Sequence, residues 1–517
     1  MSNKIVKSSI GLTVSLVFAY FLSFAKESIV AYFYGVSAET DAYTIAIQIP
    51  VLLFAFVSVA INNVVIPIYS KVYYQQSEEA ANIFVNKLLS LLILGLLAFI
   101  ILAELFAGQL VYLFAPGFSS ETHDLATILL RIVFPSILFT VVQNIYVAVQ
   151  NVHKNYVAPS LAVYFLNIGL IGGILLLHKQ MGIASACVGQ LFGGLMQLSF
   201  LVFLTRKIYR YRPNIQFKQD ENLKQAMKMT GPVIWSISVA EVNALVNRLV
   251  ASFLFVGSVA ALSYSQKVNN MAMSLMVHVI STIIYPLYAE SFANRNDEQL
   301  NRRVNLSITV YSLLLMPLSV GIFCLKEEII QLAFGRGQFD AAAIDVTQGL
   351  LGFYCIGIMF MGLRETVSKV FNSMGDTKTT AINATIGVVL NIVLNVTLPF
   401  VMGVNGLALA TSICAIVITS RLLLQLVKTG KVELSYFLSN IWKIAIATIV
   451  MSLFIFLTRH FMLNVNYIWR MAVVTAAGIL TYFVSVVILH LPIMNQIKGM
   501  LFSKKKALTY GGALSRF

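Results

Sequence analysis

YFLSFAKESIVAYFYGVSAETDAY, residues Tyr20 to Tyr43, decides the fold. It is the second half of the first long apolar run, and it carries Lys26 and Glu27 at a depth where a membrane helix lies in hydrocarbon. An ionisable side chain there costs a few kcal/mol, so such residues face a partner or a water-filled cavity. Snorkelling is the alternative. Gly35, the first helix-ending signal, lies nine residues on, about 13 Å at 1.5 Å per residue. Lys26 is therefore expected to face a cavity. Adjacent residues point to different sides of a helix, so at most one of Lys26 and Glu27 is expected to point straight into it.

The rest of the chain agrees with a membrane setting. Of 517 residues, 58% are hydrophobic and 11% charged, against about 25% charged in soluble domains. The apolar runs are continuous and about 20 residues long, which excludes a β-barrel. The reading is all-α and polytopic, with about fourteen transmembrane helices near 8–33, 42–69, 86–114, 125–149, 157–178, 182–205, 228–255, 258–289, 304–324, 346–371, 380–401, 404–427, 439–458 and 468–490. Lys4 and Lys7 before the first run read as an uncleaved start.

The net charge of +15 would suggest nucleic acid in a soluble protein. Here the basic residues fall on alternate loops. One set holds Lys71, Lys154, Arg206 to Lys224, Arg295, Arg302, Arg303, Lys378, Lys428, Lys431 and the tail at Lys498 and Lys504 to Lys506. The other holds only Lys179, Lys326, Arg336, Arg459 and Arg470. The positive-inside bias then places both termini in the cytoplasm of a bacterial cell (inner) membrane and leaves no charge for nucleic acid. The tail run reads as an anionic-lipid anchor. The linker RKIYRYRPNIQFKQDENLKQ suggests an amphipathic helix on the membrane surface.

The halves look related. Pro67 answers Pro286 at a spacing of 219 residues, and Asn167 answers Asn391 and Gly182 answers Gly406 at 224. The organisation is an N-lobe of six helices at 1–206, a basic cytoplasmic linker at 207–227, a six-helix C-lobe at 228–428, two further helices at 429–492 and a basic tail at 493–517. Repeat-built transporters bind substrate near the midplane between halves.

Charges inside the spans add Arg131, Glu241, Arg248, Lys267, Arg364, Glu365 and Lys369. Glu241 and Arg248 lie two turns apart on one helix face. Cations outnumber carboxylates, which suits an anionic substrate such as a phosphate or pyrophosphate. No catalytic motif is present, the six histidines sit mostly at span ends, and Cys187, Cys324, Cys355 and Cys414 have no metal-site spacing. A glycan polymerase would need a base in an outer loop, where only Glu327, Glu328, Asp340 and Asp345 are offered.

SFAKESIVAYFYGVSAETDAY (23–43) resembles the first-helix signature of the MurJ/MviN lipid II flippases, within the multidrug/oligosaccharidyl-lipid/polysaccharide exporter superfamily. So do LLRIVFPSILF (129–139), GSVAALSYSQKV (257–268), STIIYPLYAESFA (281–293), LAFGRGQFDAAAID (332–345) and VFNSMGDTKTTAIN (370–383). The resemblance implies two lobes and alternating access. It implies movement of an undecaprenyl-pyrophosphate-linked glycan, with lipid II as the family substrate, to the outer leaflet for peptidoglycan synthesis. Another lipid-linked wall, capsular or exopolysaccharide unit is the alternative, and a cation-coupled drug exporter a further one.

By resemblance, an arginine–aspartate pair of helix one falls on Lys26 and Glu27, a cavity arginine of helix eight on Lys267, and the aspartate opening helix two on Asp41. Lys26, Lys267, Arg248 and Arg131 are thus the candidate pyrophosphate ligands, with Glu27, Asp41 and Glu241 as supporting charge. Other positions depart from the family. Arginines of helices one and two are replaced by Tyr20, Phe54 and Ala55. A cation-coupling acid of helix seven falls on Asn247, with Asn391 and Asn395 as its helix-eleven partners. No cofactor is expected; the driving force is sodium or the membrane potential. A monomer is expected to suffice, without nucleic acid.

Overall fold

The computed structural model describes residues 3–217, 220–294, 297–430, 434–462 and 464–490. Lys218, Arg295, Lys431 and the tail at 493–517 lie outside these. The described residues form helices and connecting turns, with no strand among them. Two compact units result, one of 1–263 with 334–343, the other of 264–333 with 344–517.

The first unit begins with α1 (Asn3–Tyr34) and α2 (Ala38–Ala60), which runs through a π turn (Ile61–Val65) into α3 (Ile66–Gln75). Then come α4 (Glu78–Leu105), α5 (Ala107–Phe114), α6 (Ser120–Val133), α7 (Ser136–Val152), α8 (Val157–Met181), α9 (Ala184–Thr205), α10 (Glu221–Ser252) and the first residues of α11 (Ser258–Ala293). The second unit holds the rest of α11, then α12 (Asp297–Cys324), α13 (Lys326–Ala333), α14 (Ala341–Ser373), α15 (Thr377–Thr397), α16 (Pro399–Met402), α17 (Asn405–Lys428), α18 (Leu434–Phe461) and α19 (Tyr467–Ile488). Among the described residues, eleven segments are long and apolar enough to cross a membrane. α1, α10 and α11, of 32, 32 and 36 residues, stand at the other three expected spans. The expected fourteen are compatible with this set.

Local chemistry sets the boundaries. Ser37, Ser77, Asp220 and Asp376 accept amides of the first turns of α2, α4, α10 and α15, each supplying an acceptor that the helix start lacks. At Gly35 the chain turns with φ +59° and ends α1 where the sequence predicts. Helices α8 and α9 pack backbone to backbone. A β-carbon at Gly173 would stand 2.5 Å from the Gly189 Cα, and one at Gly193 2.6 Å from the Leu166 carbonyl oxygen. This is the small-residue packing by which membrane helices associate without a hydrophobic drive.

Two expectations change. Gly182 ends α8 with φ 53°, ψ −138°, and the residue with that geometry in the second half is Gly403, at φ 56°, ψ −143°. Gly406 is instead held inside the next turn, tight against Leu398. The motif M-G therefore pairs the halves, not the glycine three residues on. Of the stretch expected to hold an amphipathic helix, 209–217 is non-helical, and the residues from Glu221 on belong to α10. The 209–217 stretch is bound across α4 instead. Asn86 Oδ1 accepts the Tyr209 hydroxyl at 2.8 Å and the Arg212 amide at 3.0 Å. Ser90 Oγ accepts the Asn214 amide at 3.0 Å and lies 2.8 Å from the Tyr211 hydroxyl. Lys87 closes the strap on Asp220 at 2.9 Å.

Candidate functional site

Lys26 and Glu27 stand in α1, two turns before Gly35. The Lys26 Nζ lies 3.1 Å from Glu27 Oε1, and the two side chains are 19% and 12% exposed. The expectation that neighbours would point apart is corrected: both side chains are long enough to bend back on the helix and meet. Pairing offsets part of the cost of holding each charge in a low-dielectric segment.

The end of α1 beyond this pair is clamped. The Tyr34 hydroxyl donates to the Gly182 carbonyl at 2.9 Å and lies 3.0 Å from Ser185 Oγ. The loop of GRGQF, residues 335–339, docks on the same turns. The Gln338 amide donates to the Tyr32 carbonyl at 2.9 Å, and Phe334 meets Phe24 at 5.8 Å between centroids. A β-carbon at Gly35 or Gly337 would overlap the Gln338 or Tyr32 backbone. Both glycines have positive φ, so two reasons require them.

Asp41 has a different role from a cavity charge. It is buried one turn inside α2, whose N-cap is Ser37. Its carboxylate accepts the amides of Gly257 and Ala260 at the start of α11. A carboxylate at a helix N-terminus satisfies amides that have no intrahelical partner.

Arg248 of α10 donates from Nη2 to Gln48 Oε1 on α2 and from Nη1 to the Ala244 carbonyl, both at 2.9 Å. Glu241 stands two turns earlier on the same helix and is partly buried. Asn247 is buried beside Arg248, and its Oδ1 has no hydrogen-bond partner. Arg131 is exposed on α6 and interacts with Glu104 near the end of α4.

In the second unit Lys267 is half-buried, with Nζ 5.6 Å from the Tyr264 ring centroid. Asn395 Nδ2 donates to Asn391 Oδ1 at 2.6 Å, and both side chains are buried. Lys369 pairs with Glu365 one turn away at 3.3 Å. Glu328 is fully buried against Arg459 Nε at 2.7 Å and Arg470 Nε at 3.4 Å, while Glu327 meets Arg459 Nη2 at 2.7 Å. These two carboxylates hold α13 to α18 and α19 and are not placed as a general base.

Sequence reasoning missed three features. One is the π turn at Ile61–Val65, which exposes Asn62 and Asn63; Pro67 four residues after Asn63 was its signal. The second is Phe54, where the resemblance expects arginine: its ring meets Phe99 edge-on at 5.1 Å, so this face packs on α4. The third is the partnership of Arg459 and Arg470 with Glu328, signalled by opposite charges on outer connections.

Long apolar helices that carry charged pairs, such as Lys26–Glu27 and Lys369–Glu365, are the structure of an integral membrane protein. The chain shares a fold, at TM-score 0.66 and 12% identity over 85% of this chain and 98% of the other, with a solved structure titled "Inward-facing conformation of a multidrug resistance MATE family transporter of the MOP superfamily". The structure titled "Lipid II flippase MurJ, inward closed conformation" matches at TM-score 0.80 and 26% identity, covering 94% of this chain and all of that one. The family model described as "Lipid II flippase MurJ" matches residues 30–502. A curated protein of Thermotoga maritima, "Probable lipid II flippase MurJ", is 29% identical over 455 residues, 88% of this chain and 91% of its own. One of the same description from Aquifex aeolicus is 26% identical over 510 residues, 97% of each. The chain belongs to the MurJ lipid II flippase family. It is an integral membrane transporter, not an enzyme.

Proposed function

We propose that this chain moves lipid II, an undecaprenyl-pyrophosphate-linked glycan, from the cytoplasmic to the outer leaflet of the bacterial cell membrane for wall synthesis. The observation that carries the reading is the Lys26–Glu27 pair, a partly exposed charge within the first span. Lys26 supplies a cation to the pyrophosphate, and so does Lys267, which the resemblance aligns with a cavity arginine. Arg248 assists with its positive charge. Arg131, exposed on α6, is a weaker candidate for the same role. Lysine keeps the charge of arginine but loses its two-pronged fork, so the phosphate is held by charge more than by geometry.

Membrane potential drives the cycle. One charge moved through it gains about 2.3 kcal/mol per 100 mV. Sodium coupling is disfavoured by the amide pair of Asn391 and Asn395, which brings no negative charge. One copy suffices for transport, both termini are cytoplasmic, and the basic tail at 493–517 binds anionic lipid.

The test is depletion of the protein in its own cells. Lipid-linked precursor should accumulate in the inner leaflet, and the Lys26→Ala/Lys267→Ala double variant should fail to rescue. Unchanged precursor levels on depletion, or full rescue by the double variant, would overturn the reading.

A further inference from the structure

Pro67 has no amide to donate to the Asn63 carbonyl four residues back. The chain answers with the π turn, where the Ile66 amide reaches the Ile61 carbonyl. π turns inside α-helices concentrate at functional sites. This one lies within the span 38–75 and leaves two adjacent amides, Asn62 and Asn63, exposed. Asn62 shares a helix face with Ser58, whose carbonyl accepts its Nδ2 at 2.9 Å. The Ser58 hydroxyl in turn accepts Asn144 Nδ2 from α7 at 3.0 Å. One turn before Asn144, Thr140 is also exposed.

Ser58, Asn62 and Asn144 therefore join across the groove where α2 and its π turn meet α7, and Asn63 and Thr140 are exposed on the same two elements. Exposed amides in hydrocarbon lose their water, and the two hydrogen bonds above leave the further donors and acceptors of Asn62 and Asn144 to be satisfied. A surface carrying this many is a wetted one. It has no charge, so it is ill suited to a phosphate and well suited to hydroxyl and acetamido groups. Amides offer a donor and an acceptor together, which matches sugar hydroxyls that do the same. The same helix face bears Phe54 one turn above Ser58, where the resemblance expects a cation, so charge has left this surface and neutral donors remain.

We propose that Ser58, Asn62, Asn63, Thr140 and Asn144 recognise the sugar headgroup of the transported lipid, separately from the cations that hold its pyrophosphate. The proposal rests on the flippase reading and assigns part of the specificity to this groove.

The experiment measures binding to the full purified chain by native mass spectrometry, with two probes: lipid II and sugar-free undecaprenyl pyrophosphate. The Asn62→Leu/Asn144→Leu variant should lose about tenfold in affinity for lipid II, as expected for a few neutral hydrogen bonds, and nothing for the sugar-free lipid. Lys26→Ala should weaken both. Asn63→Val, at an exposed side chain, repeats the test if the double variant folds poorly. Equal losses on both probes, or no loss on lipid II, overturn the groove assignment while leaving the flippase reading intact. Failure of the unaltered chain to bind either probe overturns both.

Discussion

The Asp41 carboxylate accepts the Gly257 amide at 2.6 Å, and its other oxygen accepts the Ala260 amide at 2.7 Å. A residue near the start of α2 thereby completes the first turn of α11, with Gly257 at φ +94° making the approach possible. Asp41→Ala leaves two buried amides without an acceptor, at about 1–3 kcal/mol each. Asp41→Asn keeps one acceptor and should lose roughly half as much. Thermal unfolding in detergent checks the order, and equal stability of the two variants would refute the capping role.

Close packing of α8 on α9 makes a sharper contrast. Gly173→Ala should destabilise by about 1–3 kcal/mol, because the new methyl meets backbone that cannot step aside. Gly172→Ala has open space around it and should be neutral or slightly stabilising, through better helix propensity. The measurement is the difference in unfolding temperature between the two neighbours.

Acid should loosen the strap at 209–217 only at low pH. Burial pushes the Asp220 carboxyl up, but Lys87 and the Leu223 amide outweigh it and hold it below the usual carboxylate range. A depressed folded value gives stability that is present above the unfolded value and lost as pH falls through the folded one. The protection factors of the strap amides, exchange corrected for the intrinsic pH dependence, should therefore be flat from pH 7 to about pH 4 and fall below it. Protection that falls between pH 7 and pH 5 would contradict the Lys87–Asp220 closure.

Glu328→Gln removes the negative charge facing two arginines in a buried site, a loss of about 3–5 kcal/mol. Glu327, at 47% exposure, is a surface partner, and Glu327→Gln should lose only about 0–1 kcal/mol. Limited proteolysis between α18 and α19 reads both.

Much of this was legible in the sequence. The long apolar helices and the end of α1 at Gly35 follow from apolar length and one glycine. What stayed hidden depends on side-chain reach and on partners far along the chain. Lys26 meets Glu27 because its stem can curl, which helical spacing does not encode. The linker lies flat as a strap because Asn86 and Ser90, polar residues on an apolar helix, bind its backbone. Gly182 pairs with Gly403 by turn geometry, although Gly406 looked as good by letter. Asp41 was noticed as a helix-opening acid, and its real partner, the start of α11, is more than two hundred residues away.

The central claim is that Lys26 holds the pyrophosphate of a lipid-linked glycan while the chain carries it across the membrane. It is tested most directly by reconstituting the purified chain in vesicles and measuring translocation of lipid II with Lys26→Arg and Lys26→Ala. The account predicts that Lys26→Arg keeps the activity and that Lys26→Ala loses at least about tenfold, the worth of one hydrogen bond to a charged group. Unchanged translocation by Lys26→Ala would contradict it.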